Sequence, residues 1–328
     1  MMGATRLVIL LALAVAPFAV VAWQGDAPPP AVSKDGVVNS ASQMPPEFGG
    51  GQIARGSLFR IRGWRLGPEA QVRAEQSPLG IKLAEMSLEI RKGGERVDAF
   101  PVSVAANEIE AVLPSDAPLG KAELIVLKDG DPSPPFSIRI VESSFGAFSR
   151  NGQGWGPGKV RNGSAEDAPP NSPDRPARPG ETVTLEGTGL GAHSRPSITA
   201  GEKPVTRIRQ AGPKSCCSGI DELSFDLPAD TPEGCYVPLR VQSAPGIVSN
   251  VVTASVSRDG GPCKDPGNWL PRQLNGMHRV GFAGLLNADV LLRIDRQEAA
   301  FDFDAGFAEF VAMPAGPAQL DRYYLFPP

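Results

Sequence analysis

The sequence predicts an all-β protein of tandem β-sandwiches with a small C-terminal β segment. Three observations carry that prediction. Short runs alternate apolar and polar residues with a period of two, and helical periodicity is weak throughout. The runs are bounded by turn residues: Gly 37 plus Pro 34 is 71 of 328 residues, below the roughly 25–30% expected of low-complexity disorder. Finally, a strand-and-turn framework occurs twice. Ile53-Ala-Arg-Gly-Ser-Leu-Phe-Arg-Ile-Arg-Gly-Trp-Arg-Leu-Gly67 is answered by Arg178-Pro-Gly-Glu-Thr-Val-Thr-Leu-Glu-Gly-Thr-Gly-Leu-Gly191, which aligns Gly56 with Gly180, Gly63 with Gly187 and Leu66-Gly67 with Leu190-Gly191.

The chain opens with the parts of a secretory signal over 1–22: Arg6, an apolar run from Leu7 to Val21, and a small-residue cleavage site at Val20-Val21-Ala22. The run is short for a spanning helix and Pro17 interrupts it, so cleavage rather than anchoring is expected, with no membrane span afterwards. Residues 23–46, with Pro28-Pro29-Pro30 and Pro45-Pro46, read as an extended, poorly ordered leader.

The first sandwich is expected over 47–142. Leu58, Arg60 and Arg62 alternate with Phe59 and Ile61, and Met86–Ile90 alternates again before a Gly93-Gly94 turn. The run Ala105–Leu113 is the one ambiguous stretch; Pro114 and the Pro118-Leu119-Gly120 turn favour a strand. Residues 143–176 read as a Gly/Pro-rich connector in which Phe145–Ser149 and Gly158–Arg161 pair as a small hairpin around Asn151-Gly152.

The second sandwich is expected over 177–258. Leu227-Pro228 matches Leu113-Pro114, while Pro232 and Gly234 match Pro118 and Gly120. The spacing between copies falls along the chain, which places extra residues in the first copy around Gln71–Leu83. Residues 259–328 follow as a β segment with strands around Val290–Ile294 and Ala299–Asp304. That segment is short for an independent sandwich, so it is expected to be incomplete or to need a partner.

The stretch Gly180–Gly191, together with Leu227-Pro228-Ala-Asp-Thr-Pro-Glu-Gly234 and Val248-Ser249-Asn250, resembles an IPT/TIG-type immunoglobulin-like domain. With Asn171-Ser172-Pro173 ahead of it, the chain resembles a bacterial family of exported, largely uncharacterised proteins that carry such a domain. The resemblance implies immunoglobulin-like sandwiches and export. It implies no catalytic residues and no cofactor, because this fold serves many functions.

A formal net charge of -4, with no basic cluster, argues against nucleic acid as a partner. Four cysteines, Cys216, Cys217, Cys235 and Cys263, are disulfide candidates in an exported chain, and they allow three pairings. In an extended backbone neighbouring side chains point to opposite faces, so Cys216 and Cys217 are expected to take different partners, one Cys235 and the other Cys263. No Cys-x-x-Cys suggests a metal site.

Other candidate chemistry is thin. Asp302 and Asp304 share one face of a strand, but Met313 stands where an EF-hand loop needs its last acid, and a wet acidic face explains the pair. His193 and His278 lack a nucleophile motif. The run Gly152–Gly158 has no closing Lys-Ser/Thr and reads as a turn. Trp155 and Trp269 are the aromatic residues that offer ligand contact. The expected function is non-enzymatic: binding or scaffolding with an extracellular or envelope protein, with a carbohydrate-binding accessory module as the alternative.

Overall fold

The computed structural model describes residues 28–75, 78–264, 279–294 and 297–312, the last two stretches by their backbone. The expected signal over 1–22 lies outside the described residues. Among the described residues all regular elements are strands, and their pairings form two sandwiches and a hairpin.

In the first sandwich, one sheet is built from β1 (Ala31–Asn39), β3 (Leu58–Trp64), β8 (Glu108–Val112) and the second half of β7 (Glu95–Val104). The first half of β7 crosses to the other sheet, where it pairs with β6 (Met86–Lys92). That sheet continues through β9 (Gly120–Lys128) and β11 (Phe136–Val141) to β2 (Ile53–Ala54), which runs parallel to β11. Short strands β4 (Val72–Arg73), β5 (Lys82–Leu83) and β10 (Asp131–Pro132) edge these sheets. Between β9 and β10, Asp129 and Gly130 both have positive φ, which matches the twist a two-residue hairpin requires.

The second sandwich repeats the plan. Its first sheet joins β12 (Gly146–Ala147) and β13 (Val160–Asn162) to β14 (Thr182–Thr188), then β18 (Asp221–Asp226) and β17 (Ile208–Pro213). Its second sheet runs β16 (Lys203–Pro204), β15 (Ser197–Ala200) and β19 (Gly234–Ala244), which pairs with both β20 (Ile247–Val248) and β21 (Val252–Val256). A parallel bridge, Ala177 to Val256, stands where β2 meets β11 in the first copy. These orders are the two-sheet arrangement of an immunoglobulin-like sandwich. A hairpin of β22 (Arg279–Ile294) and β23 (Gln297–Ala312) follows, paired residue for residue from Arg279 and Ala312 to Ile294 and Gln297.

Alternation explains why these stretches are strands. In β3, Phe59 and Ile61 are buried, whereas Arg60 and Arg62 face outward toward Glu108 and Glu110 on β8. Each aliphatic side chain so buried contributes about 1.5–3 kcal/mol. One core gathers Phe59, Ile61, Met86, Leu88, Ile109 and Leu124; a second gathers Phe145, Val183, Leu185, Phe225, Leu239 and Val252.

The sequence repeat has a structural cause at each position. Gly56 and Gly180 have φ of 69° and 86°, a region that favours glycine, in the turns leading to β3 and β14. Gly63 and Gly187 lie under the first strand of each copy: an added Cβ would come 2.0 Å from the Ala31 carbonyl oxygen and 2.1 Å from Phe145 Cζ. Leu66 and Leu190 are buried just beyond. Leu113 and Leu227 donate their amides to Ser57 and Glu181, the residues that follow the paired glycines.

Two expectations need correction. The leader is not wholly unstructured, because Ala31–Asn39 form β1 against β3 and bury Val37 and Val38. Nor is 143–176 only a connector. The expected hairpin forms, with a bridge between Ser149 and Gly158, but it docks on β14 and places Phe145, Ala147 and Val160 in the second core.

Candidate functional site: the seam between the sandwiches

The end of β1 and the start of β3 meet the second sandwich through buried polar groups. Asn39 is fully buried, and its Nδ2 donates to the carbonyls of Ser144 at 3.2 Å and Thr188 at 3.4 Å. Its Oδ1 accepts the amides of Ala41 at 2.9 Å and Ser42 at 3.0 Å. Thr188 Oγ1 accepts the Leu58 amide at 2.8 Å and donates to the Gly219 carbonyl. Gly219, with φ of 78°, comes close enough that an added Cβ would lie 2.9 Å from both Leu58 Cγ and Val112 Cγ2. Buried polar groups of this kind are costly unless paired, so the bonds from Asn39 to Ser144 and Thr188 and from Leu58 to Thr188 fix one sandwich against the other.

Trp155 sits in the loop just beyond this seam and is half-buried. The loop is pinned from below. Asn250, buried itself, accepts the Ala147 amide at 2.8 Å and donates to the carbonyls of Ala147 at 2.9 Å and Gly154 at 2.7 Å. Ser149 Oγ accepts the Gly154 amide at 2.9 Å, and Asn151 Oδ1 accepts that of Gln153 at 2.9 Å. The Gly-rich run is therefore a chain of turns holding one tryptophan at the surface. Asn171 does similar work nearby, bonding both the amide and the carbonyl of Ser255.

On the far side of β14 from the core lies a closed group of charges. Glu186 on β14 stands directly opposite Glu222 on β18, an arrangement that alone would repel. Arg161 bridges them, at 2.9 Å to Glu186 and 2.8 Å to Glu222, and Lys214 reaches the same two oxygens at 2.7 and 3.3 Å. Burial pushes the Glu222 carboxyl up, but hydrogen bonds from Arg161 and Lys214 outweigh it and hold it below the usual range. The hydrogen bond to Glu186 raises Lys214. Next to it, burial raises Asp221 against the opposing amides of Leu190 and Gly189. The group ties three strands together, and both carboxylates are engaged by cations.

The cysteines pair differently from the expectation. Cys216 bonds Cys217, and Cys235 bonds Cys263 with Cα atoms 5.3 Å apart. The extended-backbone premise fails because 214–220 is a loop between β17 and β18, where Cys217 donates to the Lys214 carbonyl and neighbouring side chains can converge. Trp269 and His278 lie outside the described residues. His193 is exposed in a turn. Asp302 and Asp304 are two positions apart on β23, opposite Asp289 and Asn287. Among the described residues, no three metal-binding side chains converge, and no helix is long and apolar enough to cross a membrane.

No family model matches the chain, and no curated protein matches it. Among solved structures it is similar to SGBP-B of a Bacteroides ovatus mixed-linkage glucan utilization locus in complex with a mixed-linkage heptasaccharide. The two share 14% identity over 88% of this chain and 67% of that one, with a TM-score of 0.31. SGBP-B from a xyloglucan utilization locus of Bacteroides uniformis gives 18% identity over 70% and 49%, with a TM-score of 0.23. Domains 5–6 of the S-layer protein SbsC give 10% over 69% and 98%, also with a TM-score of 0.23. All three scores are low, and the fold assignment rests on the strand pairings above.

Proposed function

We propose that the chain is an exported, non-catalytic protein of the IPT/TIG type that binds an extracellular or envelope protein and holds it at a set distance from its own neighbours. The seam carries this reading: Asn39 and Thr188 lock two sandwiches of the same plan through buried hydrogen bonds, leaving loops and sheet edges as the presented surface. The test is immobilised full chain exposed to purified envelope proteins, with mass-spectrometric identification and a binding isotherm for each candidate. Saturable binding of one envelope protein supports the reading. Turnover of a substrate by the purified chain would overturn it.

A second reading, a carbohydrate-binding accessory module, is favoured by one observation: Trp155 is held half-exposed on a loop that Asn250 pins. Aromatic faces stack on sugar rings, and a pre-ordered loop lowers the cost of binding. Retention on a polysaccharide column that vanishes in Trp155→Ala supports this reading, with Trp269 tested next. Absence of retention on every glycan tried rejects it.

A further inference from the structure

The loop Lys214–Ile220 joins β17 to β18 and touches three parts of the molecule. At its start, Lys214 Nζ reaches Glu186 and Glu222. At its end, the Gly219 carbonyl accepts from Thr188, whose hydroxyl oxygen also accepts the Leu58 amide, and Gly219 packs on Leu58 and Val112 of the first sandwich. Between these anchors lies the Cys216–Cys217 disulfide. Cys216 is exposed and Cys217 is half-buried.

A disulfide between adjacent residues encloses no length of chain, so it gains almost nothing from restricting the unfolded state. Its effect is local: it constrains the backbone of Cys216 and Cys217, two residues before the carbonyl that Thr188 engages. The Cys235–Cys263 bond, by contrast, spans 28 residues and ties β19 to the chain beyond β21.

We propose that Cys216–Cys217 is a thiol–disulfide exchange site, and that its redox state sets how tightly the seam between the sandwiches closes. The reaction partner is a dithiol. Its thiolate attacks Sγ of the exposed residue Cys216, the bond between the two Sγ atoms breaks, and Cys217 leaves as a thiolate that takes up a proton. The second thiolate of the reductant then attacks its own sulfur in the mixed disulfide. Cys216 is released and protonated, and the reductant departs as a disulfide. Two electrons and two protons have passed to the chain. With the ring open, the peptide units of Cys217 and Ser218 regain rotational freedom, Gly219 is no longer held against Leu58, and the Thr188 hydroxyl loses its fixed acceptor.

The test is a dithiothreitol titration of the oxidised full chain, with thiols located by alkylation and mass spectrometry on one portion and amide exchange measured on another, unalkylated portion. Cys216 and Cys217 should become alkylatable at reductant levels that leave Cys235–Cys263 closed. Over the same range, exchange at the Leu58 amide should accelerate roughly tenfold, while that of Val241, bonded to Ser249 inside the second core, stays constant. The double variant Cys216→Ser/Cys217→Ser should show the fast Leu58 exchange without reductant. Should that variant not fold, the wild-type titration decides alone. Opening of Cys235–Cys263 first or at the same midpoint, or unchanged Leu58 protection once both adjacent thiols are free, would overturn the proposal.

Discussion

Leu58 and Thr188 are 130 residues apart in sequence, yet the amide of one donates to the hydroxyl of the other at 2.8 Å. That bond joins β3 of one repeat to the matching strand β14 of the other, where β3 begins and β14 ends. Thr188→Val keeps the shape and deletes the hydroxyl, stranding the Leu58 amide and the Gly219 carbonyl. The expected cost is about 1–3 kcal/mol, read by denaturant unfolding. Thr188→Ser should recover most of it; equal stability of Val and Thr at this position would show that the seam bond is dispensable.

The two glycines of the second repeat should respond differently, because they are glycine for different reasons. At Gly180 only the backbone angle matters, since no atom lies within 4 Å of an added Cβ. Gly180→Ala should cost about 1–2 kcal/mol of left-handed strain. At Gly187 the new methyl meets Phe145 and the Gly146 carbonyl, so Gly187→Ala should displace β12 and lose more. Thermal melts of the two variants side by side provide the comparison.

Glu222 predicts a pH dependence. Its carboxyl is held below the ordinary glutamate value of 4.5 in the folded chain. The unfolded state therefore binds the proton more readily, and stability is present above that value and lost as pH falls toward the folded one. Unfolding measured between about pH 7 and pH 3 should show this acid slope, flattened in Glu222→Gln. Asp221, raised by burial, acts in the opposite sense, so Asp221→Asn should steepen the slope.

Removing Cys235–Cys263 should be the costly disulfide change. A loop of 28 residues corresponds to about 3.5 kcal/mol of restricted unfolded-chain entropy. The Cys235→Ala/Cys263→Ala variant should melt well below Cys216→Ser/Cys217→Ser in calorimetry; the reverse order would contradict this account.

The fold was legible where both copies face the same backbone demand. Gly56 and Gly180, Gly63 and Gly187, Leu66 and Leu190 each answer one local requirement, so they recur at matching positions. What escaped depends on distant partners. The β1 strand is flanked by prolines and is stabilised by β3, a contact no local window contains. Ser133 and Ser249 each trade two hydrogen bonds with an earlier strand, β9 or β19, through the amide and carbonyl of Val126 and Val241. A lone serine before Pro134 or Asn250 gives little warning of that. The cysteine pairing departs from strand alternation because 214–220 turns. Trp155 stands out in the sequence by type alone, and Asn250, which pins its loop, stands out there only within the Val248-Ser249-Asn250 resemblance.

The parallel contact of β2 with β11, matched by Ala177 with Val256, has a mechanical consequence. In each sandwich an entering segment runs alongside a leaving one in the same direction. Tension along the chain therefore runs along the strands and across these bonds, shearing them together instead of peeling them one after another. Under load the chain would resist extension up to a threshold and then yield abruptly. Pulling single molecules from the two ends should record discrete rupture peaks from the sandwiches.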